Sequence, residues 1–447
     1  MRVFLLQAYL GRKDIALYPL GLSYIAARLN NYEVFALDPN LSSKPYEDIE
    51  KILRTHKPEV VGISLRNVDT LSFNDRFLYA KTLEPTLKLI RGIVPDAKIM
   101  LGGPGFSIYA QDLINALPEV DFGIYLEGED SVPEILKNLS TPENVKGIYY
   151  RHNDKVIFTG IRENPDFRDI IPRRDLFVPS RYTHPLSIGV QTKRGCNLRC
   201  TYCNYPFLNG ANLRVRDPHD IVDEIEKMVI DNRITHIIFT DAVFNIPKKH
   251  AVAICEEIIR RGLTIRWSAY FTEIGFDEEF MRLVKDSGCF LIFFSPDAYS
   301  NRSLKIMKKP IVQKDIKRIY KLTMKEKNIN FDFCFFFNPP GQTLYSFLGL
   351  MWLAIKTNYL LPRRRHMRIS LNNPRLEPHT ELYCQALNEK SIQKETNLMP
   401  QNEDNLSLLF YKNPSSIYIN NIMSYIYSAK KILKKITGIK NKKDFLD

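Results

Sequence analysis

The sequence predicts an α/β protein: a doubly wound parallel sheet, then a partial (β/α)6 barrel of the TIM type, then a C-terminal helical extension. Residues 1–140 and 186–373 each alternate short, continuously apolar segments with amphipathic ones, which is typical of parallel strands joined by helices. Residues 141–185 between them are irregular and rich in Pro, Arg and Asp, as expected of a linker. Residues 374–447 follow the last predicted strand and form the extension. The chain has 447 residues, the length of two or three domains.

The first region contains five predicted strands: Val3–Leu6, Val34–Leu37, Val60–Ser64, Lys98–Leu101 and Phe122–Leu126. The helices predicted between them are Gly21–Leu29, Tyr46–Thr55 and Phe77–Gly92. Such sheets bind ligands at the carboxyl ends of their strands, and paired glycines there let the backbone approach a bulky ligand. The candidate binding residues are therefore Ser64, Leu65, Gly102, Gly103, Glu127 and Gly128. The sheet alone does not name its ligand, because nucleotide-binding, flavin-binding and response-regulator domains share it.

The second region contains six predicted strands, and a small hairpin at residues 147–159 is expected to open the linker before them. The strands are Leu186–Thr192, His236–Thr240, Ile265–Tyr270, Phe290–Ser295, Asn330–Phe337 and Met367–Leu371. The helices between them are Asp220–Asn232, Lys248–Arg261, Asp277–Ser287, Gln313–Lys327 and Leu344–Lys356. In barrels of βα units, the active face lies at the carboxyl ends of the strands.

Three cysteines directly follow the first strand of the second region. Cys196, Cys200 and Cys203 have the spacing C-x3-C-x2-C. Thiolates hold iron–sulfur clusters, and this loop would wrap three corners of a [4Fe–4S] cluster while leaving the fourth iron open for a ligand. The alternatives are a zinc site completed by a residue such as His219, or three unconnected thiols. Zinc sites usually pair C-x2-C with a distant second pair, which favours the cluster.

The cysteine loop and its flanks resemble the radical S-adenosylmethionine (SAM) superfamily, in which the open iron binds SAM. Before the loop, Pro19-Leu-Gly-Leu22, Ile63-Ser-Leu65, Gly102-Gly-Pro104 and Gly128-Glu129 resemble the cobalamin-binding domain of cobalamin-dependent radical SAM enzymes. This resemblance extends over most of the chain. It implies a Rossmann-like cobalamin-binding domain at residues 1–140 and three cofactors: a [4Fe–4S] cluster, SAM and cobalamin.

One departure from that family concerns the axial ligand of cobalt. Many cobalamin domains carry D-x-H-x-x-G after the first strand, and its histidine ligates cobalt from below. Residues 7–17 contain no histidine. Arg66 follows the third strand and is predicted to approach the lower face of cobalt, where a guanidinium has no lone pair to donate. The alternative is that Arg66 binds a corrin amide or a carboxylate.

The resemblance also implies SAM contacts at three strand ends of the barrel. Thr240, Asp241 and Asn245 match the family's D-x-x-F-N element near the SAM amino group. Ser295 and Asp297 follow the fourth strand, where the family contacts the ribose and carboxylate of SAM. Pro340 belongs to a turn similar to the family's G-x-P-G-E-T, with Gln342 in place of glutamate. Each could instead be a turn or a helix cap, where these residue types are common.

Glu273, just past the third strand, is a carboxylate at the height of the cluster. It is expected to bind substrate or to cap a helix. A sharper hypothesis is that Glu273 ligates the open iron, in which case SAM could not chelate there and methylation would proceed without a radical.

Charge and cysteine usage bear on partners and compartment. The formal net charge of +13 suggests an acidic partner, and the cluster favours a flavodoxin or ferredoxin over nucleic acid, for which no recognition module is visible. Four further cysteines, Cys255, Cys289, Cys334 and Cys384, are expected to be buried small hydrophobes, so the chain should reside in a reducing cytoplasm. A basic amphipathic helix is predicted at residues 419–436; it would pack on the barrel or contact a membrane surface.

The family resemblance implies an enzyme, most simply a methyltransferase. One SAM would methylate cobalamin, and a second would be cleaved to a 5′-deoxyadenosyl radical that activates an unactivated carbon of a small-molecule substrate for methylation. Within the same superfamily, the alternative is a cyclase or rearrangement enzyme without methyl transfer. An alternative from another class is a basic iron–sulfur protein that binds nucleic acid without turnover.

Overall fold

The computed structural model describes residues 1–153, 155–360 and 366–420, which form two sheets with helices packed on them. The first sheet has seven strands in the order β2-β1-β3-β4-β5-β6-β7. These strands are β1 (Arg2–Gln7), β2 (Glu33–Leu37), β3 (Val60–Ser64), β4 (Lys98–Gly102), β5 (Phe122–Ile124), β6 (Ile148–His152) and β7 (Lys155–Phe158). The first five are parallel. The predicted hairpin forms β6 and β7 and extends this sheet as an antiparallel edge.

The helices of the first region cover both faces of this sheet. They are α1 (Leu20–Ala27), α2 (Pro45–His56), α3 (Leu83–Ile93), α4 (Pro104–Ile108), α5 (Ala110–Ala116) and α6 (Ser131–Lys137). The α2 helix carries acids in its first turn and basic residues in its last, which complements the helix dipole. The helix predicted from Phe77 begins only at Leu83, because Pro85 is tolerated in a first turn but not in a helix interior.

The second sheet has six parallel strands in the order β15-β14-β13-β12-β11-β8, and its end strands do not pair with each other in the described chain. The strands of this sheet are β8 (Gly189–Val190), β11 (His236–Phe239), β12 (Arg266–Phe271), β13 (Cys289–Asp297), β14 (Asn330–Phe336) and β15 (Met367–Asn372). The strands β9 (Lys193–Arg194) and β10 (Arg214–Val215) form a separate two-stranded ribbon. The helices are α7 (Tyr205–Asn209), α8 (Pro218–Asn232), α9 (Lys248–Arg260), α10 (Glu278–Asp286), α11 (Asn301–Ile306), α12 (Gln313–Thr323), α13 (Leu344–Ile355) and α14 (Glu381–Asn388). The predicted fold class, a doubly wound sheet followed by a partial barrel, is confirmed.

The two sheets share one hydrophobic core. A single cluster of buried side chains runs from Val3 and Leu22 in the first region to Phe239 and Ile292 in the second. The other face of the first sheet packs against the C-terminal extension, whose Leu376, Leu382 and Leu409 join Phe4 and Ile63 in a second cluster. The described part of the extension therefore packs on the first domain.

The predicted C-terminal helix is not tested, and two of the four further cysteines differ from expectation. Beyond Asn420, the predicted basic helix lies outside the described residues. Cys255 and Cys289 are buried as expected, but Cys334 is half-buried and Cys384 is exposed on α14. Among the residues that the structure describes, no helix is both long and apolar enough to cross a bilayer.

Candidate active site

The cysteine loop begins at a position that requires glycine. Gly195 has a φ of +89°, and a Cβ there would lie 2.0 Å from the carbonyl oxygen of Asn212. The Cys196 amide donates a hydrogen bond to the Gly210 carbonyl (3.1 Å), and the Cys203 amide donates to the Cys200 carbonyl (3.1 Å). The backbone thus fixes the loop over the carboxyl end of the first barrel strand.

The three thiols of this loop are free and lie close enough to influence one another electrostatically. Burial, together with the nearby Cys200 and Cys196, raises the pKa of Cys203 to about 12. Across residues 1–153, 155–360 and 366–420, no group of three or more His, Cys, Asp or Glu converges as the ligands of one ion do. A cubic cluster binds each thiolate on a separate iron, so its ligands need no common point. His219, the candidate zinc ligand, is largely exposed and contacts Glu257 through Nδ1 (2.9 Å).

Two of the predicted SAM contacts are engaged by the protein itself. The buried Asp241 carboxylate accepts hydrogen bonds from the Thr192 hydroxyl (2.5 Å) and amide (2.9 Å) and pairs with the Lys193 Nζ (2.8 Å). The Asn245 side chain donates to the Thr272 carbonyl (3.0 Å) and accepts from the Thr272 amide (2.9 Å). Both residues tie neighbouring strand ends together. Thr240 is exposed beside them.

At the fourth strand end, Asp297 is held by two residues. Lys309 Nζ donates to the Asp297 carboxylate (2.8 Å) and to the Ser295 carbonyl (2.7 Å), and the Tyr202 hydroxyl donates to the same carboxylate. Tyr202 lies between Cys200 and Cys203, so this network joins the cysteine loop to β13. The sequence analysis did not single out Lys309, because its partner Asp297 lies twelve residues away on another element and no local pattern links the two.

Glu273 and Gln342 are buried and present unsatisfied polar atoms. Glu273 Oε1 and both polar side-chain atoms of Gln342 find no partner in the part of the chain that the structure describes. Burial raises the pKa of Glu273 to about 7, and Lys309 and Asp297 act on it electrostatically, which places it near the cysteine loop. The turn that contains Pro340 is fixed by Asn338, which donates to the Ser416 carbonyl (3.1 Å).

The carboxyl ends of the first sheet border a cavity of about 240 Å³. Ser64, Gly102, Gly103 and Gly128 line it, whereas Leu65 is buried beside it. Gly103 has a φ of +94°, and a Cβ there would lie 2.6 Å from the Leu65 carbonyl oxygen. The backbone of these glycines therefore borders the cavity directly, and their contact with a ligand stays a prediction.

Glu127 lines the same cavity, but its carboxylate is engaged in an interdomain ion-pair cluster. Arg194 pairs with Glu127 (2.7 Å) and Glu129 (2.5 Å), and Arg214 also pairs with Glu127. The Arg194 guanidinium lies over the Phe167 ring at 4.3 Å. Arg194 directly precedes the cysteine loop, so the cluster fixes that loop relative to the first sheet.

Arg66 follows β3 and Tyr270 lies at the end of β12, and the two side chains are close enough to interact electrostatically. Arg66 is exposed and forms no hydrogen bond or ion pair with any described residue. Desolvation lowers the pKa of Arg66, and electrostatic interactions with Tyr270, Tyr79 and Asp14 oppose this lowering. Burial raises the pKa of Tyr270 to about 12, and Arg66 opposes that rise. Tyr270 stacks on Phe293 at 4.8 Å.

Comparison with known families assigns both halves of the chain. Residues 14–136 match the B12 binding domain, and residues 190–344 match the Radical SAM superfamily. The chain is a radical SAM protein with a B12-binding domain. The two domains imply cobalamin, a [4Fe–4S] cluster and SAM as cofactors of this radical SAM protein.

Relatives of this radical SAM protein carry several activities in their names. An uncharacterized methyltransferase of Pyrococcus horikoshii is 27% identical over 66% of the chain and 63% of its own length. The anaerobic magnesium-protoporphyrin IX monomethyl ester cyclase of Cereibacter sphaeroides is 27% identical over 64% of the chain and 47% of its own length. The chain thus spans less than two thirds of these curated relatives.

A solved structure supports the fold of this radical SAM protein. The radical SAM methyltransferase TsrM of Kitasatospora setae, solved with tryptophan and a SAM analogue, superposes with a TM-score of 0.73. The superposition covers 89% of this chain and 77% of TsrM at 21% identity.

The residues of this radical SAM protein fit the implied cofactors at two places. The three free thiols on one tight loop fit the donor set of a [4Fe–4S] cluster. The glycine-lined cavity at the carboxyl ends of the first sheet leaves room for part of a cobalamin, because no Cβ intrudes. The SAM contacts remain predictions; of the residues named for them, Asp241 already accepts four hydrogen bonds and Asn245 already donates both of its amide hydrogens.

Proposed function

We propose that this protein is a cobalamin-dependent methyltransferase that moves a methyl group from SAM to an unactivated carbon of a small molecule. The observation that carries the proposal is that Arg66, just beyond β3 of the B12-binding domain, and Tyr270, at the end of barrel strand β12, are close enough to interact electrostatically. Strand ends of both sheets would then border one cleft, so one substrate would be within reach of both cofactors. When bound, the cluster with SAM would supply radical initiation, and cobalamin would carry the methyl group.

Arg66 would act at the lower face of the cobalamin. It forms no hydrogen bond or ion pair with any described residue, and a guanidinium cannot coordinate a metal. Arg66 would therefore keep a coordinating base away, and residues 7–17 offer no histidine to take its place. A low coordination number at cobalt would favour methyl transfer both from SAM to cobalamin and from cobalamin to substrate.

Glu273 and Tyr270 would position the substrate. The Glu273 carboxyl is buried, and its pKa of about 7 lets Oε1 either donate or accept a hydrogen bond near neutral pH. Tyr270 offers an aromatic face and a hydroxyl in the cleft. Together they suit a substrate with a planar or apolar body and a polar group.

The methyl-carrier half of the proposal can be tested without knowing the substrate. Protein reconstituted with cob(I)alamin under anaerobic conditions should form S-adenosylhomocysteine from SAM, in about one equivalent per bound cobalamin. Bound cob(II)alamin should give an electron paramagnetic resonance spectrum without nitrogen superhyperfine splitting. Arg66→Ala should retain cobalamin but slow S-adenosylhomocysteine formation; unchanged formation would remove the role assigned to Arg66, and absence of cobalamin binding would refute the proposal.

A cyclase or rearrangement enzyme is the second candidate, favoured by the similarity to the anaerobic cyclase of Cereibacter sphaeroides. Such an enzyme would give a product without the mass of an added methyl group. An iron–sulfur protein that binds nucleic acid without turnover would show salt-sensitive RNA binding and no SAM cleavage.

The partners and compartment follow from the same proposal. A one-electron donor such as flavodoxin or ferredoxin would supply the reducing equivalents, and the net charge of +13 suits an acidic donor. A cytoplasmic location would keep the cysteine loop reduced. Contact of the predicted C-terminal basic helix with a membrane is the weaker of its two proposed roles.

A further inference from the structure

The outer face of α13 is a large apolar surface that the proposed function does not use. The helix LYSFLGLMWLAI contains no charged residue. Phe347, Leu350 and Ala354 are buried on its inner face. A helix that is apolar on all sides is normally covered by another structure.

The exposed side chains form one continuous line along the helix. Tyr345 is 90% exposed and Trp352 is 60% exposed, and Leu344, Leu348 and Ile355 are each about half exposed. Positions 345, 348, 352 and 355 are three or four residues apart, so they share one face over a helix about 18 Å long. We call these five residues the α13 stripe. Tryptophan and tyrosine are the aromatic residues most enriched at membrane–water interfaces.

The α12 helix, which contacts the segment after α13, carries exposed positive charge. Four exposed cations, Lys314, Lys317, Arg318 and Lys321, lie on α12, and Lys325 and Lys327 follow it. The two acids of this segment are occupied: the Asp315 carboxylate accepts from the Val312 amide (3.0 Å), and Glu326 pairs with Lys285 (3.4 Å).

The two helices form one surface because they are joined directly. The Tyr320 hydroxyl of α12 hydrogen-bonds the Thr357 hydroxyl just beyond α13 (2.8 Å). Arg318 is anchored by donating to the carbonyls of Phe276 (2.6 Å) and Glu273 (2.8 Å), so the lysines carry the freely exposed charge. An aromatic and aliphatic stripe and a row of lysines therefore lie on two helices that contact each other.

We propose that the α12–α13 surface docks on an anionic lipid bilayer, with the α13 stripe among the headgroups and the α12 lysines against lipid phosphates. The pattern of Trp, Tyr and Leu beside Lys is that of interfacial amphipathic helices, and anionic lipids attract nearby lysines. The net charge of +13 opposes a second copy of the chain as the occupant, because both copies would bring the same charge. This inference does not depend on the chemistry proposed for the active site.

The two tryptophans of the chain make the test direct. Trp267 is fully buried, so acrylamide quenching and changes in emission report Trp352. In the full chain without vesicles, acrylamide should quench one tryptophan readily. Vesicles of phosphatidylcholine with phosphatidylglycerol should shift the emission to the blue and protect Trp352, whereas pure phosphatidylcholine should do so weakly. High salt should reduce the effect. Trp352→Phe should lose the spectral change while still co-sedimenting with the vesicles.

Substitutions then locate the surface. Leu348→Glu combined with Ile355→Glu should weaken co-sedimentation at least tenfold, and Lys314→Glu with Lys317→Glu and Lys321→Glu should abolish the preference for anionic lipid. Ile230→Glu, which changes an exposed isoleucine on α8, is the matched control and should bind normally. Unchanged thermal unfolding would show that each variant is folded.

Three results would overturn the proposal. Shielding of Trp352 from acrylamide in a vesicle-free monomer would show that the chain covers its own stripe. Shielding in a dimer that dissociates on Leu348→Glu would identify a second copy as the occupant. Vesicle binding that is equal in Leu348→Glu/Ile355→Glu and in the wild type would place any lipid contact elsewhere.

Discussion

At the scale of single residues, the site consists of groups that the sequence marks and groups that it does not. The cysteines and the strand-end glycines stand at positions where spacing and backbone geometry leave a local signature. Lys309, Arg194 and Tyr270 carry no such signature, because their roles come from partners on other elements. Asp241 and Asn245 match a ligand motif, yet the structure shows their side chains holding strand ends.

The cysteine assignment predicts which thiols hold iron. Cys196→Ala, Cys200→Ala and Cys203→Ala should each lose most of the roughly four irons expected for one [4Fe–4S] cluster after anaerobic reconstitution. Cys255→Ala and Cys384→Ala are controls from a buried and an exposed position, and they should retain iron. Iron and sulfide analysis with the visible spectrum checks this. Loss of iron from a control variant would contradict the ligand assignment.

Lys309 should tune the cluster through charge. Its ammonium group is buried beside Asp297 and acts on Cys200 electrostatically. Lys309→Met removes this cation, so the reduced cluster should become less stable and its midpoint potential should fall. Lys308→Met is the matched control, because Lys308 pairs with exposed Glu381 (2.6 Å) at the surface.

A redox titration monitored by electron paramagnetic resonance measures this effect. A potential that falls equally in both lysine variants, or in neither, would refute the role of Lys309.

At the scale of elements, the predicted strands and helices largely form, and the exceptions have local causes. Pro85 delays α3, and the hairpin predicted in the linker completes the first sheet because its strands pair with β5. Periodicity identifies strands, but it does not reveal which sheet a hairpin joins.

The α9 helix carries a buried histidine that should make stability depend on pH. Burial, followed by the nearby Lys193, lowers the pKa of His250 from about 6.5 to about 4. The unfolded chain thus binds a proton below pH 6.5 that the folded chain takes up only near pH 4. Folding stability should therefore fall as the pH drops through this window, by on the order of 2–3 kcal/mol.

Chemical denaturation of the wild type and of His250→Gln between pH 4 and pH 7 checks this prediction. The variant should lose most of this pH dependence. Equal slopes for the two proteins would show that His250 is not the responsible group.

At the scale of the whole molecule, the cysteine loop is where three parts of the chain meet. The B12-binding domain reaches it through the Glu127, Glu129 and Arg194 ion pairs. The C-terminal extension reaches it through the Leu382 amide, which donates to the Thr201 carbonyl (2.7 Å). The sequence gives no sign of this convergence, because the contacts join residues far apart in the chain.

The interdomain ion pairs should determine both stability and the alignment of the two domains. Arg194→Met leaves the buried Glu129 without its cation, which should cost about 3–5 kcal/mol. Arg168→Met is the control, because Arg168 pairs with Asp166 at the surface and should leave the free energy of unfolding nearly unchanged. Denaturant unfolding measures both. A cost for Arg194→Met no larger than that of the control would show that the cluster does not hold the domains together.

The central claim, radical methyl transfer in the shared cleft, is tested most directly by the products of SAM. Anaerobic protein with cluster, cobalamin, SAM and a strong reductant should form 5′-deoxyadenosine, and Cys196→Ala should form none. During turnover of a substrate, 5′-deoxyadenosine and S-adenosylhomocysteine should both accompany each methylated product. If Glu273 instead occupies the open iron, only S-adenosylhomocysteine should appear, and Glu273→Ala should release 5′-deoxyadenosine formation. Methylated product without any 5′-deoxyadenosine would contradict the account.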